Sequence, residues 1–168
     1  VDVKGEKLYL PSPNLHALFL IKHMFTHFAS EGINLRQVLD WGFFVKKFGS
    51  KVDWKWLKEV LKQFSMYEMF GIINAITVEE LGFNAYDFPT IQYNPITKDR
   101  VFNDIMTPDY SRVLPQRYFQ RAIYKAKRWN SSKWKYKLCY NENIWRIFWN
   151  GICLNLVKPK TSKDDSKV

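Results

Sequence analysis

The sequence predicts a mainly all-α fold, a multi-helix domain with a short N-terminal β-ribbon. Three observations carry this. Apolar residues recur at helical spacing through four stretches of the first half. Capping residues or terminating glycines bracket those stretches. Strand-like alternation at the front is confined to residues 1–10. The supply of core is ample, since 46% of the 168 residues are hydrophobic and 17% aromatic, which argues against disorder.

Residues 1–10 read as two short β-type runs around Lys4-Gly5-Glu6, the expected ribbon. Pro11-Ser12-Pro13 then opens a helix with Ser12 as N-cap and Pro13 in the first turn, running to about residue 29 and stopped by Gly32. Asn34 with Gln37 three positions on is a capping-box pattern that starts a second helix to about residue 47. Asp53 caps a third over 54–64, and a fourth covers about 66–81 before Gly82. Residues 83–95 carry two prolines and no helical period, a loop. A short helix is expected over 97–106. A long one follows from Pro115 to about Trp129, with a break at Asn130-Ser131-Ser132. Strand-like spacing over 133–140 and a last helix over 143–157 complete the chain. The expected organisation is therefore a ribbon (1–10), a four-helix region (11–82), a loop and short helix (83–111), a basic aromatic helical region (112–157) and a frayed polar tail (158–168).

Charge divides the chain. Residues 1–97 carry 10 basic and 10 acidic groups, whereas residues 98–168 carry 16 and 6, so the formal +10 belongs to the second half. Residues 112–137 hold nine basic groups and no acidic one. Arg117, Arg121 and Arg128 fall at spacings of 4 and 7, on one helical stripe, and Lys133 and Lys135 alternate with Trp134 and Tyr136. These five basic residues are the candidate phosphate-binding set, because cations beside stacking aromatics suit nucleotides and single-stranded nucleic acid. The bland alternative is an aromatic core with a solvated basic face. A third idea is interfacial membrane attachment through residues 144–157, where Trp145, Phe148 and Trp149 suit the headgroup layer.

Cys139 and Cys153 lack C-x-x-C spacing and read as reduced, partly buried thiols. No basic n-region and apolar h-region open the chain, and its longest apolar-rich stretches, residues 15–28 and 144–157, fall short of the ~20 residues a span requires. A cytoplasmic location is the expectation.

All three histidines lie on the first helix. His16, His23 and His27 share one stripe, but His16 stands about 10 Å up the axis from His23, too far for one ion. No metal ligand is assigned. Because Leu15, Leu18, Phe19, Leu20, Ile21, Met24, Phe25 and Phe28 lie around this helix, burial on nearly every side is expected. Arg36 and Asp40, four apart on the second helix, are the expected partners in a network with His23 and His27.

The block H-x-x-x-H-F followed by G-I-N-L-R-Q-V-L-D-W (residues 23–41), then a capped W-x-x-L helix and V-E-E-L-G-F, resembles the C-terminal helical region of a family of uncharacterised nucleotidyltransferases from bacterial surface-polysaccharide gene clusters. The likeness covers residues 8–83 and, more loosely, 112–159. It implies a transferase acting on a metal-activated nucleoside triphosphate, with magnesium held by carboxylates of a catalytic core. It also implies that His23, His27, Arg36 and Asp40 line a cleft or form a structural network. The G-S and D-x-D elements of such cores do not occur here: Gly49-Ser50 leads only to Lys51-Val52-Asp53-Trp54. The resemblance therefore implies a helical part that follows a catalytic core. No catalytic residue is assigned. The expected partners are that core and a nucleoside triphosphate. A stand-alone basic module that binds nucleic acid is the alternative.

Overall fold

The computed structural model describes residues 2–3, 6–7, 11–107 and 118–140, the side chains of 2–3, 6–7, 118–119 and 121–129 excepted. At the front, β1 (Asp2–Val3) and β2 (Glu6–Lys7) pair antiparallel, with Asp2 opposite Lys7. Six α-helices follow among the described residues: α1 (Pro13–Ser30), α2 (Leu35–Phe48), α3 (Trp54–Gln63), α4 (Tyr67–Glu79), α5 (Pro95–Met106) and α6 (Tyr118–Tyr140). The described chain is mainly helical.

The ends of the helices follow local chemistry. The Leu15 N–H donates to Ser12 Oγ at the start of α1, and the Trp56 N–H donates to Asp53 Oδ1 at the start of α3. The Asn34 N–H donates to Gln37 Oε1 at 3.0 Å, the backward half of a capping box on α2. Asn94 Oδ1 accepts from the N–H groups of Ile96 and Thr97 and starts α5. Gly32 and Gly82 sit at φ of +86° and +70°, where a side chain would be strained, and they turn the chain out of α1 and α4.

Helix α4 is the centre. Every residue from Met69 to Thr77 is buried, and α2, α3, α5 and α6 pack around it. Around its Phe70 the aromatic core assembles, with Trp41 edge-on at 5.8 Å and, in turn, Phe44 at 5.7 Å and Trp54 at 6.4 Å from Trp41. The close approach of the segment after α4 requires Gly71: a Cβ there would stand 2.8 Å from Ile91 Cγ2 and 3.2 Å from the Gln92 carbonyl oxygen. The loop 83–95 contains a short 3-10 turn, Ala85–Asp87, and is tied down by buried Phe88 and Ile91.

Two expectations are corrected. The Asn130-Ser131-Ser132 break and the strand-like spacing over 133–140 are absent, because α6 runs unbroken to Tyr140. Asn and Ser cost only a few tenths of a kcal/mol each against better helix formers. The helical register, in turn, aligns Ser131, Trp134, Lys135 and Leu138, and the last three pack inward or against the core. Secondly, α1 is not buried on nearly every side. Leu15 and Phe19 are 56% and 62% exposed, and His23 is exposed beside them. The buried face of α1 is Ala17, Ile21, Met24, Phe25, Phe28 and Ala29. The remaining turn of the wheel lies open because α2 and α6 cover only part of it. Among the described residues, no helix is long and apolar enough to cross a membrane. The expected last helix over 143–157 and Cys153 lie outside the described residues.

Candidate functional site

The α1–α2 hairpin carries the histidine and L-R-Q-x-x-D-W residues. Along the exposed face of α1 a ladder of side chains stands four positions apart. Phe19 stacks on His23 with ring centroids 5.6 Å apart, and His23 meets His27 edge-on at 4.4 Å. His27 Nδ1 then lies 3.7 Å from Glu31 Oε2. Four-residue spacing puts all of them on one strip of helix. His16 sits apart, edge-on to Phe44 at 4.9 Å.

Arg36 and Asp40 are exposed on α2. Among the described residues, no hydrogen bond or ion pair joins either of them to the other or to the histidines. The structure instead distributes the block between core and surface. Val38 and Trp41 are fully buried, and the Trp41 indole N–H donates to Asn74 Oδ1 at 2.9 Å. The motif thus spends its tryptophan on packing and leaves its arginine and aspartate facing water. No group of three His, Cys, Asp or Glu side chains is arranged to hold a metal ion among the described residues.

The basic half divides differently. Lys135 is buried, and its Nζ lies 2.5 Å from Asp104 Oδ2 on α5. That ion pair takes Lys135 out of any set of solvent-facing cations. Lys133 is half-buried. Arg121 and Arg128 lie on α6 with side chains outside the described residues, and Arg117 lies outside them altogether. Cys139, near the end of the same helix, is buried, and burial pushes its thiol well above the ordinary range.

Sequence reasoning missed a pair that the fold creates. The Arg100 guanidinium lies over the Trp134 ring at 4.0 Å, joining α5 to α6. Nothing in either segment signals the partner 34 positions away. The one available hint is the helical spacing of Thr97, Arg100 and Asp104, which makes a polar face on an otherwise short helix. A second missed cluster is Lys98, whose buried stem delivers Nζ to Glu79 Oε2 at 2.9 Å and Glu80 Oε1 at 2.7 Å. Tyr93 also donates its hydroxyl to Glu79. Those bonds raise the Lys98 ammonium's pKa, and the Tyr93 hydroxyl, with Lys98 second, holds the Glu79 carboxyl below its usual range.

With this geometry in view, the comparison with known families gives one result. Residues 1–81 match the model of a family described as an uncharacterised nucleotidyltransferase. The matched stretch includes the ribbon, α1 to α4 and the whole His23–Trp41 block, so this front part is nucleotidyltransferase-like in sequence. No curated protein and no solved structure gives a match.

Proposed function

We propose that this chain serves as a helical, non-catalytic part of a nucleotidyltransferase, shaping the nucleotide or acceptor side of a cleft that a catalytic core completes. The observation that carries the reading is the family match over residues 1–81, which falls on helices and not on a G-S and D-x-D site. The open strip of α1, with exposed Leu15 and Phe19 beside His23, and exposed Arg36 and Asp40 on α2, supplies apolar, aromatic and charged groups for such packing. Bacterial polysaccharide synthesis and a cytoplasmic location accompany this reading. Magnesium belongs, in the same reading, to the carboxylates of the core. Among the described residues, no group of three His, Cys, Asp or Glu side chains fits a metal ion.

The second reading is a stand-alone basic module for nucleic acid. The observation favouring it is the concentration of +10 in residues 98–168. Against it, Lys98 and Lys135 are both committed to carboxylates.

One experiment separates them. The purified chain is supplied with each nucleoside triphosphate and magnesium, diphosphate release is followed, and single-stranded DNA binding is titrated at rising salt. The leading reading expects no diphosphate release and weak DNA binding that vanishes at physiological salt. Diphosphate release by this chain alone would overturn the non-catalytic assignment. Tight DNA binding with a steep, linear log–log salt dependence would favour the basic module.

A further inference from the structure

We propose that the hollow between α5 and α6 is a binding site for a small phosphate-bearing anion, with Arg100, lying over the Trp134 ring, as its receptor. The inference stands independently of the nucleotidyltransferase reading, since its receptor residues, Arg100 and Trp134, lie beyond the matched stretch.

The receptor is assembled by two helix faces. On α5 and its C-cap, Thr97, Arg100, Asp104 and Thr107 fall at successive spacings of 3, 4 and 3, and on α6 Ser131, Trp134, Lys135 and Leu138 follow at 3, 1 and 3. Two cross-pairs lock these faces together, Arg100 on Trp134 and Asp104 with Lys135. Trp134 is itself fixed from behind, edge-on to fully buried Phe28 at 5.7 Å. The platform under the guanidinium is therefore rigid.

Charge accounting gives the hollow its sign. On an isolated helix Asp104 would be the natural i,i+4 partner of Arg100. Here its carboxylate is taken by the buried Lys135 ammonium at 2.5 Å, and the pair is neutral. Arg100 makes no hydrogen bond or ion pair among the described residues. With its carbon 4.0 Å above the indole, the guanidinium covers an apolar ring face and not a carboxylate, so its five in-plane N–H donors are left for the fork geometry that oxyanions accept. Two open hollows, of about 480 and 420 Å³, share Arg100 and Trp134 as a wall. That size suits a small molecule. The first is also lined by Asn103 and Ser132, and the second by Lys137 and the Glu68 carboxylate, whose charges offset and leave Arg100 the uncompensated cation of both. Donors on several sides of the guanidinium fit the three or more acceptor oxygens of a phosphate group better than the two of a carboxylate.

The test is calorimetric titration of the full chain with inorganic diphosphate at constant ionic strength. We expect one saturable site. Arg100→Gln removes the fork and should weaken binding at least tenfold, the scale of a charged hydrogen-bonding pair. Ser132→Asp adds a negative charge to the hollow without touching the guanidinium and should weaken it similarly. Lys55→Gln removes an exposed cation on α3 and should leave affinity unchanged. Circular dichroism of each variant checks that the fold is retained. Absent binding by the parent chain, or Arg100→Gln within twofold of it, overturns the proposal. So does an equal loss in Lys55→Gln, which would mean diffuse attraction to a basic protein. A short oligonucleotide that needs Arg100 while diphosphate does not bind would overturn the small-molecule assignment in favour of nucleic acid.

Discussion

The Trp41 indole N–H donates to Asn74 Oδ1 at 2.9 Å, in a part of the core where Trp41 has no solvent exposure at all. This bond links α2 to the central helix α4 and fixes the orientation of the largest fully buried side chain among the described residues. Its cost is also visible, because the other end of the same amide, Asn74 Nδ2, has no hydrogen-bond partner among the described residues.

Replacing Asn74 by alanine therefore strands the indole N–H and opens a small void, and should cost about 1–3 kcal/mol. Trp41→Phe should be costly for the larger volume it removes. The double variant should lose less than the sum of the two, since neither polar partner is then left waiting. A double-mutant cycle by urea unfolding measures the coupling, and strict additivity would show the bond to be energetically idle.

Gly71 sets two effects against each other. Alanine gains about 1 kcal/mol of helix propensity. Its methyl group, however, would stand 2.8 Å from Ile91 Cγ2 and 3.2 Å from the Gln92 backbone oxygen, and a backbone atom cannot step aside without moving the loop. Overpacking of this kind costs roughly 1–3 kcal/mol, so Gly71→Ala should be net destabilising. Adding Ile91→Ala should return part of the loss, which thermal unfolding of the single and double variants would show.

The Lys98 cluster makes a pH prediction. The Glu79 carboxyl has its pKa lowered in the folded chain, first by the Tyr93 hydroxyl and then by Lys98. A lowered carboxyl contributes stability above its unfolded pKa and loses that contribution as pH falls through its folded pKa. The Lys98 ammonium is shifted upward, so its contribution is present throughout the acidic and neutral range and is lost only at strongly basic pH. Comparing the parent with Glu79→Gln, the difference in melting temperature should be largest near neutral pH and shrink as pH drops below about 4. Glu79 is 41% exposed, so the full effect should stay near or under ~1 kcal/mol. A difference that stays constant between neutral and acid pH would remove the carboxylate from the account.

Much of this architecture is legible in the chain because its punctuation is local. Ser12, Asp53 and Asn94 each bond a backbone N–H two or three residues away, and Gly32 and Gly82 end helices through their own backbone freedom. Such signals need no knowledge of the fold. Residues 130–140 misled for the opposite reason. The Lys/aromatic alternation there carries both a period of two and a helical stripe, and only packing on α1 decides between them. The exposure of Leu15 and Phe19 was equally hidden, since hydrophobicity states what a side chain prefers and not whether a neighbour covers it. Arg100 and Trp134 became a pair only when two helices distant in sequence were brought side by side.

The hydrogen bond between Thr26 and Tyr140 spans 114 positions and ties the start of the matched stretch to the far end of the described chain. Phe28 of the same helix is roofed by Trp134 and Lys135. The border at residue 81 that sequence likeness draws is therefore no seam in the folded object. A segment ending there would leave α1 without the cover that α6 gives it, so the matched stretch draws part of its core from residues outside the match.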